Sequence, residues 1–139
     1  MSKYMGDEPS LFERVLVGAN YFTFGLVGFA WLIINAIRGG RLTPFVQYHI
    51  FQSFFLVMFY WLLTVFTSLI AQVLSFIPFI NILVLKILFY LNTPFFFGQF
   101  SVVSGTVSLI IIYLVLTSFQ GQYSYIPWVS DVIGKNVRR

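Results

Sequence analysis

A long stretch almost without charge is the feature that most constrains how this chain can fold. From Thr43 to Ser130 the only formally charged residue is Lys86. Over all 139 residues, 59% are hydrophobic and 9% are charged, whereas an average soluble protein has about 25% charged residues. A soluble globule of this length cannot bury so much apolar surface. The composition therefore predicts an all-α integral membrane protein.

Hydropathy predicts a four-helix transmembrane bundle over residues 15–120. About 20 apolar residues suffice to cross a hydrocarbon core of about 30 Å. The expected spans cover residues 15–37, 45–71, 79–93 and 100–119. A polar segment, residues 1–14, precedes this membrane domain, and an aromatic and basic tail, residues 121–139, follows it.

The third expected helix is the short one. Pro78 and Pro94 bracket it, and its length of about 22 Å favours a helix that is short, tilted or re-entrant. Lys86 stands at its middle. A lysine facing lipid there costs roughly 3 kcal/mol, so Lys86 is a candidate intramembrane charge that should snorkel, face the bundle or mark an interfacial helix.

Basic and aromatic residues indicate which segments meet the lipid head groups. The expected interfacial anchors are Arg38, Arg41, Tyr123, Tyr125 and Trp128. With four spans, both termini share one side, and the loop at Arg38 and Arg41 lies on the other. Five basic residues near the termini (Lys3, Arg14, Lys135, Arg138 and Arg139) outnumber the two in the loop, which favours termini on the cytoplasmic or equivalent side.

A polar stripe follows one face of the second expected helix. At 100° per residue, the residues within or beside a wedge of about 60° are His49, Gln52, Ser53, Tyr60, Thr64 and Thr67. Polar side chains on a membrane helix face protein or water. Two interpretations stay open: the stripe bonds neighbouring helices or its own backbone, or it borders a hydrophilic path or a partner face.

Sequence motifs give no indication of an enzyme. The chain has no cysteine, and it contains no phosphate-binding glycine loop, no Ser/His/Asp set, no carboxylate pair and no metal-ligand spacing. We therefore expect no catalytic residue, cofactor or metal. The modest positive charge indicates contact with anionic membrane lipids and no binding of nucleic acid.

Two segments carry a resemblance to a known family. One begins the second helix and contains Pro44, Phe45, Tyr48, His49 and Gln52; the other runs from Gly121 to Asp131 and reads GQYSYIPWVSD. With the four-span hydropathy, the chain resembles the twenty-kilodalton subunit family of the protein-import translocon at the inner chloroplast envelope and its bacterial and cyanobacterial relatives. Gln47 stands where that family commonly has a basic residue.

The resemblance implies a non-enzymatic membrane subunit of a translocon that moves preproteins across the plastid inner envelope. Its partners would be other translocon membrane subunits, the preprotein in transit and membrane lipids. A bacterial member would lie in the cytoplasmic membrane, and for it a structural or assembly role, or a small-solute channel, is the alternative.

Overall fold

The computed structural model describes residues 8–93 and 101–137. Within them the chain is all-α, with six helices and no strand. The helices are α1 (Leu11–Phe22), α2 (Leu26–Arg38), α3 (Pro44–Ser75), α4 (Ile80–Asn92), α5 (Val102–Phe119) and α6 (Val129–Asn136). The aromatic turn between Pro94 and Phe100, and both ends of the chain, lie outside the described residues.

The first expected span, residues 15–37, is two helices instead of one, which corrects the sequence prediction. α1 ends at Phe22, and the turn that follows has left-handed backbone at Phe24 (φ 53°) and Gly25 (φ 92°). Thr23 is the C-cap of α1, where its N–H donates to the carbonyl of Ala19, and its hydroxyl accepts from the N–H of Val27 in α2 at 3.2 Å. The rings of Phe12 and Trp31 then lie 5.3 Å apart, so α2 folds back along α1 as a helical hairpin.

The hairpin brings the start of α1 to the start of α3. α1 begins with a capping box, in which the side chains of Ser10 and Glu13 each accept a hydrogen bond from the other residue's backbone N–H. The other carboxylate oxygen of Glu13 accepts a hydrogen bond from the Thr43 hydroxyl at 2.6 Å. Residues 13 and 43, which stand on either side of the first expected span, are therefore in direct contact.

In the described part of the chain, two helices are long and apolar enough to cross a membrane: α3, with 32 residues, and α5, with 18. At 1.5 Å per residue they extend about 48 Å and about 27 Å. In the most apolar stretch of α3, the protein buries none of the residues. In the corresponding stretch of α5 it buries 11% of them. α4 has 13 residues, so it is short, as the sequence predicts. The other two of the four expected spans are thus a hairpin and a short helix.

The described residues divide into two compact units. The first comprises residues up to Val57 and those from Tyr113 onward, and the second comprises Met58–Ile112. The first unit has the apolar core, formed by Leu16, Val17, Tyr21, Phe45, Val46, Ile50 and Leu114. In the second unit, no residue from Met58 to Asn92 is buried.

The tail contains a left-handed turn followed by a short helix. Gly121 takes left-handed backbone (φ 71°) directly after α5, as glycines at helix ends commonly do. The short helix α6 then buries Ser130 and Ile133 and leaves Trp128 72% exposed. The tail therefore packs against the rest of the first unit through one face of α6.

Candidate functional site

A buried polar cluster lies at the start of α3. We call it the His49 cluster; its members are Asn20, Tyr21, Tyr48, His49, Gln52, Ser53, Ser124 and Ser130. They come from three places in the chain: the end of α1, residues 44–53 of α3, and the tail. All eight belong to the first unit, and each is less than 9% exposed.

Gln52 is the centre of the hydrogen bonding. Its side-chain oxygen accepts from the hydroxyls of Tyr21 at 2.7 Å and Ser124 at 2.8 Å. Its side-chain nitrogen donates to the Ser124 carbonyl and the Ser130 hydroxyl, both at 3.3 Å. The Tyr48 hydroxyl also donates to the Ser124 carbonyl, at 2.9 Å. One amide therefore joins α1, α3 and the tail, and its hydrogen-bonding capacity is used fully.

His49 is enclosed by aromatic rings. Its Nδ1 lies 2.7 Å from the Tyr21 hydroxyl. The ring of Tyr123 stacks on the imidazole, with ring centroids 6.0 Å apart and an angle of 14° between the ring planes. Phe45 meets the imidazole edge-on, with ring centroids 4.6 Å apart. The carbonyl of Gln122 approaches the ring, but Nε2 makes no hydrogen bond of normal geometry within the described residues.

Asn20 ties the hairpin to α3. Its side-chain oxygen accepts from the Gly28 N–H at 2.9 Å, and its side-chain nitrogen donates to the Ser53 hydroxyl at 2.8 Å. Gly28 stands in the first turn of α2, where helix N–H groups have no intrahelical acceptor. The side chain of Asn20 thus caps α2 from the neighbouring helix.

The structure separates the predicted polar stripe into two parts. His49, Gln52 and Ser53 are buried in the His49 cluster, whereas Tyr60, Thr64 and Thr67 are exposed on the remainder of α3. Thr64 donates its hydroxyl to the Tyr60 carbonyl at 2.9 Å. The stripe is therefore not one continuous surface: its first part is engaged with protein groups, and its second part faces outward.

The remaining predicted positions also differ among themselves. Lys86 is exposed on α4. Arg38, Arg41, Tyr125 and Trp128 are exposed, as interfacial anchors should be. Tyr123 is half-buried, and its ring packs against those of Phe45 and Tyr48, with centroid distances of 5.5 Å and 5.0 Å respectively. Tyr123 thus belongs to the packing around the His49 cluster.

Sequence reasoning missed the partners of the stripe. Asn20 and Tyr21 are adjacent polar residues within an apolar stretch, and that pairing is a signal that could have indicated a buried site. Ser124 and Ser130 lie in the tail segment that carries the family resemblance. Their hydroxyls meet Gln52, so the two resembling segments, more than 70 positions apart, contact each other directly.

The hydrogen bonds of the His49 cluster join side chains of α1, α3 and the tail. The Ser124 hydroxyl donates to Gln52, and the hydroxyl that contacts the His49 ring is that of Tyr21. Among residues 8–93 and 101–137, no three metal-ligating side chains come together. Comparison with protein-family models, with curated proteins and with solved structures found no match to this chain.

Proposed function

We propose that this chain is a non-enzymatic integral membrane subunit of a protein-translocating assembly, as its sequence resemblance implies. The observation that supports this most is the meeting of the two resembling segments, where Gln52 of α3 bonds Ser124 and Ser130 of the tail. The two segments that carry the resemblance are thus parts of one buried joint in this chain. The specific activity, preprotein movement across a plastid inner envelope or its bacterial counterpart, rests on the resemblance.

We place the helices relative to the membrane from the division of α3 into a buried first part and an exposed second part. Residues 44–53 contain every buried position of α3. Residues 54–75 would extend about 33 Å, which matches a hydrocarbon core of about 30 Å. In this proposal α3 and α5 cross the bilayer, and the α1–α2 hairpin stays on the side where α3 begins. The four-span arrangement is not retained, because Glu13 and Thr43 are hydrogen-bonded to each other.

The membrane part of α3 has a face suited to a partner helix. At 100° per residue, one side within about 140° carries the small or polar residues Tyr60, Thr64, Thr67, Ser68, Ala71 and Gln72. The opposite side carries Leu62, Phe66, Leu69 and Val73. Small and polar residues let membrane helices approach closely and bond across their interface. We assign the first side to another translocon subunit and the second to lipid.

A photocrosslinking comparison in native membranes tests this proposal. A photoreactive phenylalanine replaces Thr64 on the partner side or Phe66 on the lipid side of the same helix. Position 64 should form adducts with other membrane proteins, and the adduct pattern should change when a precursor protein is arrested in transit. Position 66 should form adducts mainly with lipid, and therefore serves as the matched control.

The outcomes separate the alternatives. One outcome is that position 64 crosslinks only to a second copy of this chain, with a pattern that does not change when a precursor is arrested. That result would support a structural or assembly role. If neither position gave a protein adduct, α3 would be surrounded by lipid and the subunit proposal would be wrong.

A further inference from the structure

A cavity of about 340 Å³ lies beside the α1–α2 hairpin. It is bounded by the first turn of α1, the second half of α2 and the loop that leads into α3, all within the first unit. Its volume is at the lower end of the range for small-molecule sites, which begins at about 300 Å³. A ligand headgroup of a few heavy atoms fits such a space.

Two opposite charges line this cavity without pairing. The Glu13 carboxylate is held in place by the Ser10 N–H at 2.8 Å and by the Thr43 hydroxyl at 2.6 Å. Partial burial acts to raise the pKa of Glu13, but these hydrogen bonds outweigh it, so the pKa lies below its usual value and the group is ionised at neutral pH. Arg41, on the same cavity, makes no ion pair or hydrogen bond within the described residues.

The rest of the lining is aromatic and apolar. Phe12 and Trp31 face the cavity with ring centroids 5.3 Å apart and planes tilted by 59°. Such rings attract an ammonium group through their negative faces, tryptophan most strongly. Leu16 and Val46 supply apolar wall. The cavity therefore offers one anionic group, one cationic group and two aromatic rings beside a hydrocarbon surface.

We propose that this cavity binds the headgroup of a zwitterionic phospholipid. The ammonium of an ethanolamine or choline group would lie between Glu13 and Trp31, and the phosphate would bond the guanidinium of Arg41. An anionic phospholipid has no cation for Glu13 and would be repelled by it. This inference depends on the membrane placement proposed above, but not on a role in translocation.

Native mass spectrometry of the full-length chain tests the site. The purified protein is exchanged into detergent with equal amounts of dioleoyl phosphatidylethanolamine, phosphatidylcholine and phosphatidylglycerol. The wild type should retain a zwitterionic lipid in preference to phosphatidylglycerol by about tenfold, as expected for one charge-assisted contact. Glu13→Gln and Arg41→Gln should each reduce retention by about the same factor.

The control is Arg38→Gln, which removes an exposed arginine of the same loop that does not line the cavity; it should retain lipid as the wild type does. Glu13→Gln also alters the capping box of α1, whereas Arg41 has no described partner, so Arg41→Gln tests binding without disturbing the fold. Equal retention of all three lipids, no retained lipid, or wild-type retention by Arg41→Gln would overturn the proposal.

A soluble zwitterion is the other source of the same chemistry. Glycerophosphoethanolamine has the headgroup without acyl chains and should displace the lipid only in large excess, because the apolar wall and the bilayer contribute to holding the chains. Displacement at equal concentration would assign the cavity to a soluble ligand and would contradict the lipid assignment.

Discussion

At the scale of single residues, Asn20 decides how the first third of the chain folds. A side-chain amide in an apolar stretch must find partners once it is buried, because an unsatisfied one costs about 1–3 kcal/mol. In a continuous helix Asn20 could not reach the N–H of Gly28, eight positions later. The turn at Phe24 and Gly25 brings that N–H within 2.9 Å of the Asn20 oxygen, so the hairpin satisfies both groups.

Gly28 should therefore not tolerate a side chain. A Cβ there would overlap the Asn20 side-chain oxygen and lie 3.0 Å from Ile50. We expect Gly28→Ala to lower the free energy of unfolding by about 1–3 kcal/mol, the usual range for overpacking. Gly105→Ala is the matched control, since nothing lies within 4 Å of its added Cβ. Thermal unfolding in detergent measures both, and equal stability of the two variants would contradict the hairpin packing.

At the scale of helices, composition predicted some elements and not others. α3 and α5 follow from apolar length, and the short α4 follows from its flanking prolines. The break between α1 and α2 was hidden because hydropathy is averaged over a window longer than the turn. In the local sequence only Thr23 and Gly25 indicate the break. Because glycine is also frequent inside membrane helices, Gly25 alone does not predict a turn.

The joint between α3 and the tail gives a second prediction. Gln52→Leu keeps the size of the side chain but leaves the hydroxyls of Tyr21, Ser124 and Ser130 short of a partner. We expect a loss of about 2–3 kcal/mol in the free energy of unfolding and faster amide exchange over residues 121–137. Gln72→Leu, an exposed glutamine on the same helix, should change stability by less than about 0.5 kcal/mol. Unchanged exchange in the tail of Gln52→Leu would show that Gln52 does not hold it.

The candidate site was partly predictable for a related reason. Helical periodicity places His49 and Ser53 on one face, but it cannot show which neighbour covers that face. The partners Ser124 and Ser130 are more than 70 positions away, and only packing of the whole first unit brings them together. The same periodicity extended the stripe to Thr64 and Thr67, which are exposed.

At the scale of the whole molecule, the hairpin changes the distribution of charge. Arg14, Arg38, Arg41 and Lys135 all belong to the first unit. In the proposed arrangement the hairpin does not cross the membrane, so the loop arginines lie on the same side as Arg14 and Lys135. Basic residues concentrate on the cytoplasmic side of membrane proteins. We therefore expect this unit to face the cytoplasm or its organellar equivalent.

The most direct test of this account is the sidedness of single cysteines in sealed membrane vesicles. The natural chain has no cysteine, so Glu8→Cys, Gly40→Cys, Ile77→Cys and Asn136→Cys each report one position with a membrane-impermeant thiol reagent. If the hairpin stays on one side of the membrane, positions 8, 40 and 136 should be labelled from that side, and position 77, beyond the end of α3, from the other. Labelling of position 40 from the side opposite to position 8 would show that residues 15–37 cross the membrane, and would contradict the hairpin.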